Sequence, residues 1–285
     1  MTAMLFDRTS GLSRSGATRD DCGAPLLVAI HGGTYTSAYF DVPGYSLLDR
    51  AAAAGMPIIA LDRPGYGDTP MLAPAEMTIQ GQARHLTQVL KSAWRSFGAG
   101  RPGMVIVGHS IGAAISAAIA SEPDGLPLLG LAISGVGMRT PPEHRPMWEA
   151  LPDIPLVDLP SELKDGVMFG PEGSFAADMP LASHIANTTA PKAELVDIVS
   201  TWQDNAPAIL GAITVPVHYR QGEFDKLWIV DEGEVSAFAQ ALAKSPRVDA
   251  AMVKGYGHCL DFHRIGKDFH QQQLSFARQC GAANL

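Results

Sequence analysis

The sequence predicts an α/β protein with a mostly parallel central sheet, helices on both of its faces, and a helical, Pro-rich insertion. Three observations predict it. Short apolar runs alternate with longer stretches of helical period, the pattern of strands buried on both faces by crossover helices. Ten of the 21 prolines fall between residues 138 and 207, about a quarter of the length, so that stretch cannot continue the sheet regularly. A glycine-flanked serine stands where a strand pattern gives way to a helix pattern.

The elements follow in order. PLLVAIHG at 25–32 reads as a buried strand ending in glycine, and GYSLLDRAAAAG at 44–55 as a helix stopped by Gly55. PIIALD at 57–62 is the next strand, with RPGYGDTP as its loop. Residues 77–98 are helical, with Ile79, Ala83, Leu86, Val89 or Leu90, and Ala93 recurring at helix spacing. GMVIVGH at 103–109 is a third strand, SIGAAISAAIASE a helix of small residues, and LPLLGLAISG at 126–135 a fourth strand. The Pro-rich stretch still carries Trp148, Leu151, Phe169 and Trp202, which a disordered linker would lack, so it is expected to fold, with KAELVDIVSTW at 192–202 as one of its helices. TVPVHYRQG at 214–222 returns to a strand, followed by a helix near 231–244, the strand RVDAAMVKG at 247–255, and a last helix from about 262. The expected division is a core in two parts, 1–137 and 208–285, interrupted by an insertion at 138–207.

A chain of 285 residues buries about three quarters of its unfolded surface and needs neither disulfide nor metal to hold a core. The net charge is −8 with no Lys/Arg cluster, which argues against nucleic-acid or anionic-membrane partners. Cys22, Cys259 and Cys280 are too few and too scattered for a disulfide framework. The opening MTAMLFDRTSGLSRSG has no apolar core of a signal peptide, and no run of about 18 apolar residues suggests a membrane span. The expectation is a cytoplasmic protein with a small-molecule substrate, no cofactor and no metal; a homodimer is left open.

The chemistry centres on Gly108-His109-Ser110-Ile111-Gly112. A serine on so tight a strand-to-helix turn has a strained backbone and projects its hydroxyl at the carboxyl edge of the sheet. A Cβ at position 108 or 112 would collide across the turn, and the helix start aims N–H groups where an oxyanion would develop. A serine hydroxyl needs a base within hydrogen-bond reach. Of nine histidines, His258 lies in GYGHCLDFH, in the loop straight after the last predicted strand and therefore at the same edge. His263 and His270 fall on the following helix, and His109 is expected to point away. Asp225, in QGEFDKLW just past a strand, is the first candidate to orient that base; Glu223 stands second, and Asp231 begins the next helix. Two glycines in His31-Gly32-Gly33-Thr34 let the chain turn back and aim an N–H at the site, opposite the N–H of Ile111.

HGGTYTSAYF, DRPGYGDT, GHSIGA, QGEFDKLW and GYGHCLDF, in this order and spacing, resemble the α/β-hydrolase superfamily over about 1–137 and 208–285. The resemblance implies the α/β-hydrolase fold, Ser110, Asp225 and His258 as catalytic triad, Gly33 and Ile111 as oxyanion-hole donors, and a variable lid at 138–207. The dehalogenases and epoxide hydrolases of that superfamily carry Asp at the nucleophile position, so Ser110 argues against both. The expected function is hydrolysis of a carboxylic ester, thioester or lactone of a small, largely apolar substrate through an acyl-serine intermediate. The same triad also serves C–C bond hydrolases and lyases, and a non-catalytic ligand-binding member is a third class. His144, Trp148, Met168 and His184 are the candidate substrate contacts in the insertion, and Trp148 and Trp202 are as much candidates for simple packing.

Overall fold

The computed structural model describes residues 12–15 and 23–283; Cys22 and the opening eleven residues lie outside them. One seven-stranded sheet organises the molecule. Its strands are β1 (Leu12–Ser15), β2 (Leu26–Ile30), β3 (Ile58–Leu61), β4 (Met104–His109), β5 (Leu128–Ser134), β8 (Val217–Gly222) and β9 (Val248–Val253), in the spatial order β1-β3-β2-β4-β5-β8-β9. A separate two-stranded pair joins β6 (Leu156–Val157) to β7 (Ala190–Pro191). Six strands of the large sheet run parallel, and β1 pairs antiparallel with β3 at one edge. The sequence reading had no strand at β1, whose LSRS carries no apolar run to mark it.

The alternation of side chains along β2 sorts the helices onto two faces. Leu26, Val28 and Ile30 point into one core, shared with α2 (Ile79–Phe97), α3 (Ile111–Ser121), and the later helices α7 (Trp202–Ala212) and α8 (Glu232–Ala241). Leu27 and Ala29 point into the other, shared with α1 (Leu47–Ala53) and α9 (Gly266–Ala282). Caps set where these helices begin. The side chains of Ser46, Thr78 and Asp231 accept from the N–H of Asp49, Gly81 and Glu234 at 2.9, 3.0 and 2.8 Å. The last helix begins at Gly266, later than its apolar period suggests, because Leu260–Phe262 forms a single 3₁₀ turn first.

Residues 135–216 connect β5 to its neighbour β8 and hold α4 (His144–Glu149), α5 (Ser161–Met168), α6 (Lys192–Ser200) and α7, with a 3₁₀ turn at Leu181–Ala186. This is the Pro-rich stretch, and α7 runs through Pro207 to Ala212. Among the described residues no helix is long and apolar enough to cross a membrane.

Candidate active site

Ser110 sits between the end of β4 and the start of α3 with φ +56° and ψ −127°. That left-handed conformation is costly for any residue with a side chain and persists only where the surroundings impose it. They do so by close approach. A Cβ at Gly108 would lie 2.8 Å from the Cα of Ala113, and one at Gly112 would run into the carbonyl oxygens of Ile30 and His31 at the end of β2. The elbow is tied to the next strand by the Ser110 N–H, which donates to the Ser134 carbonyl at 2.9 Å.

Asp225 and His258 follow β8 and β9 and reach the same edge of the sheet. His258 Nδ1 lies 2.6 Å from Asp225 Oδ2, with both side chains fully buried. The carboxylate also accepts from Gln221 Nε2 at 2.7 Å and from the Leu227 N–H at 2.9 Å, so its orientation is fixed by three donors. His258 Nε2 has no hydrogen-bond partner among the described residues. Its ring packs 4.7 Å from that of His109, and Gly135 beside them has no room for a Cβ. Glu223 is turned elsewhere and accepts from the Gly255 N–H at 2.7 Å, and Asp231 caps α8.

His109, His263 and His270 are buried packing groups. His109 stacks on Tyr39, and burial together with its neighbour His258 pulls its pKa down to about 3, so it stays neutral. His263 accepts from the Gly170 N–H at 2.9 Å; His270 bonds to Asp261 at 2.8 Å. Cys259 is buried with its sulfur 3.7 Å from His109 Nε2, and burial pushes its thiol pKa well up, the opposite of an activated nucleophile.

A cavity of about 420 Å³ opens over Ser110 and is lined by Gly33 and Ile111 on one side and mainly by apolar side chains of the 135–216 segment on the other. His144, Trp148 and Met168 line it. His184 does not: it faces Asp165, with Nε2 to Oδ2 at 2.9 Å. Trp202 also lies off the cavity, donating to the Gly137 carbonyl at 2.8 Å in the core, whereas Trp228, just past Asp225, lines the wall. Two charged side chains, Lys164 and Lys226, also line the cavity, with no carboxylate among its lining groups. Lys164 in SELKDGVM reads in sequence as an ordinary surface lysine. Arg63 and Glu194 form a second layer behind Gly33 that the sequence reading also missed. The only signal was a lone glutamate within the apolar run of KAELVDIVS. Among the described residues no group of three or more His, Cys, Asp or Glu is placed to hold a metal ion.

The alpha/beta hydrolase family matches the chain over residues 27–265. A curated relative, protein phosphatase methylesterase 1 of Pongo abelii, is 29% identical over 112 residues, which are 39% of this chain and 28% of that protein. The chain thus spans less than a third of the curated relatives it matches. Among solved structures, a thermophilic esterase from Thermogutta terrifontis superposes with a TM-score of 0.67 at 19% identity, covering 94% of this chain and 93% of that one. A lipase-esterase related protein from Clostridium acetobutylicum gives 0.68 at 16% identity, covering 91% and 96%. At such identities these likenesses speak for the fold.

Proposed function

We propose that this chain, which belongs to the alpha/beta hydrolase family, is a serine hydrolase that cleaves a carboxylic ester, thioester or lactone of a small, largely apolar substrate. The observation that carries the reading is the pairing of a strained, cavity-facing Ser110 with an imidazole whose Nδ1 is engaged by buried Asp225 and whose Nε2 has no partner among the described residues. In this reading His258 Nε2 takes the Ser110 proton as Oγ attacks the acyl carbon, and Asp225 holds the tautomer and stabilises the imidazolium. The N–H groups of Gly33 and Ile111 receive the developing oxyanion. The imidazolium returns its proton to the leaving oxygen or sulfur, and water, activated by the same nitrogen, releases the acid from the acyl-Ser110 ester.

The segment around 138–207 acts in this reading as a lid. The largely apolar wall it supplies favours an acyl chain or ring over a strongly polar substrate. A cytoplasmic location is proposed with it, on the strength of the buried thiols of Cys259 and Cys280. The test is labelling with a fluorophosphonate, followed by turnover of p-nitrophenyl esters. Ser110 is expected to carry the label, and Ser110→Ala to lose turnover while melting as the wild type does. Label on another residue, or substantial turnover in that variant, would sink the assignment.

A further inference from the structure

The loop that carries Gly33 is held in an unusual way. It runs from the end of β2 through His31, Gly32 and Gly33 to Thr34, a β-branched residue at φ +63°. Such a backbone does not hold itself. Three of its four carbonyl oxygens are bound by two buried cations. Arg63 donates from Nε to the His31 carbonyl at 2.9 Å and from Nη2 to the Gly32 carbonyl at 3.0 Å. Lys164 donates from Nζ to the Thr34 carbonyl at 2.6 Å. The backbone N–H of Arg63 also donates to His31 Nε2 at 3.1 Å, while His31 Nδ1 reaches the Gly32 oxygen at 2.7 Å. Burial, with Arg63 nearby, holds the His31 pKa well down, so that ring stays neutral with its proton on Nδ1.

Each cation is anchored by the 135–216 segment. Arg63 and Glu194 of α6 are fully buried and paired in a fork, at 2.6 and 3.1 Å. Gln82 donates to the same carboxylate at 2.7 Å, and Tyr66 donates to it as well. Lys164 belongs to α5, bonds to Asn187 and lies 3.4 Å from the centre of the Tyr35 ring. Among the described residues no carboxylate is bonded to it, and burial brings its pKa down to about 7. A buried ion pair adds little stability over a well-packed apolar pair, and a buried lysine without a carboxylate subtracts from it. Stability therefore does not account for these two cations.

We propose that Arg63 and Lys164 are positioning residues for the oxyanion hole, so that the proposed lid completes the loop that aims the Gly33 N–H. The Gly32 carbonyl and the Gly33 N–H belong to one peptide plane and point in opposite directions. Fixing the carbonyl with the guanidinium therefore fixes the N–H. A charge-assisted hydrogen bond at the oxygen also polarises the unit and strengthens its N–H as a donor. The plane stands against the nucleophile: a Cβ at Gly32 would be 2.8 Å from that of Ser110, and one at Gly33 3.0 Å from Ile111 Cδ1.

This inference rests on the serine-hydrolase reading, and its test separates the two. Lys164→Met and Arg63→Lys are compared with wild type on p-nitrophenyl butyrate, and the carbonyl stretch of the acid-trapped acyl-enzyme is read by isotope-edited infrared spectroscopy. Lys164→Met is expected to melt no lower than wild type, to lose about tenfold in kcat with KM within twofold, and to raise the carbonyl frequency. Arg63→Lys, which keeps a charge for Glu194 but loses the fork to two carbonyls, is expected to lose about a hundredfold in kcat. Should Arg63→Lys fail to fold, Lys164→Met decides alone. A folded Lys164→Met protein with unchanged kcat and carbonyl frequency, or with a loss in KM alone, overturns the inference while leaving the hydrolase reading intact. A wild-type protein that forms no acyl-enzyme overturns both.

Discussion

Replacing Asp225 by asparagine is the sharpest test of the proposed mechanism, because the local hydrogen bonds dictate what the amide must do. Asp225 accepts from His258, Gln221 and the Leu227 N–H. An asparagine can keep its oxygen on the Leu227 N–H, which leaves its NH₂ facing His258 Nδ1 and Gln221. Two donors cannot face each other at 2.6 Å, so the imidazole must shift its proton to Nε2, the nitrogen that has to accept from Ser110. The variant also loses the anion that stabilises the imidazolium. With charge centres about 4 Å apart and an effective dielectric constant of about 20, that attraction is about 4 kcal/mol, or about three decades in rate. Asp225→Asn should therefore lower kcat on p-nitrophenyl butyrate by about 10³-fold with KM little changed and the fold retained by circular dichroism. Glu223→Gln is the matched control, since the Glu223 carboxylate is turned to the Gly255 N–H rather than to His258. If Asp225→Asn stays within tenfold of wild type while Glu223→Gln is crippled, the assignment of the carboxylate is wrong.

Cys259→Ser should keep kcat within a few-fold of wild type, because its thiol is buried and held protonated; a collapse in kcat at unchanged melting temperature would contradict this. Over p-nitrophenyl esters from C2 to C10, each methylene the cavity covers contributes about 0.8 kcal/mol, so kcat/KM should climb about fourfold per CH₂ until the space is filled. Trp148→Ala, on the cavity wall, should flatten that climb, whereas Trp202→Ala, off the cavity, should lower the melting temperature and leave the slope alone. A flat wild-type profile would remove the argument for an apolar substrate.

The sequence by itself determined the six parallel strands of the sheet and the edge to which Ser110 and His258 come. Buried parallel strands read as unbroken apolar runs, and the run ending at Gly108-His109-Ser110 carries its own turn in the glycines on either side. His258 was legible for the same reason, since a loop directly after a strand has few places to go. These are local signals, set by residues within one or two turns of each other.

What only the tertiary structure decided depends on contacts between distant parts of the chain. Asp225 and Glu223 are two residues apart in one loop, and the path of that loop toward His258, 33 residues on, turns one carboxylate inward and leaves the other at the rim. His184 and Trp202 looked equal to Trp148 as wall candidates, but the packing of the 135–216 segment turns them to Asp165 and Gly137. Arg63 and Glu194 stand 131 positions apart, and Lys164 meets Thr34 across 130. No pattern in SELKDGVM separates a buried cation from a solvated one, and in KAELVDIVS only the place of the glutamate within an apolar run hints at burial. Burial is a property of the assembled layers, and the partner that makes a charge tolerable there lies on another element.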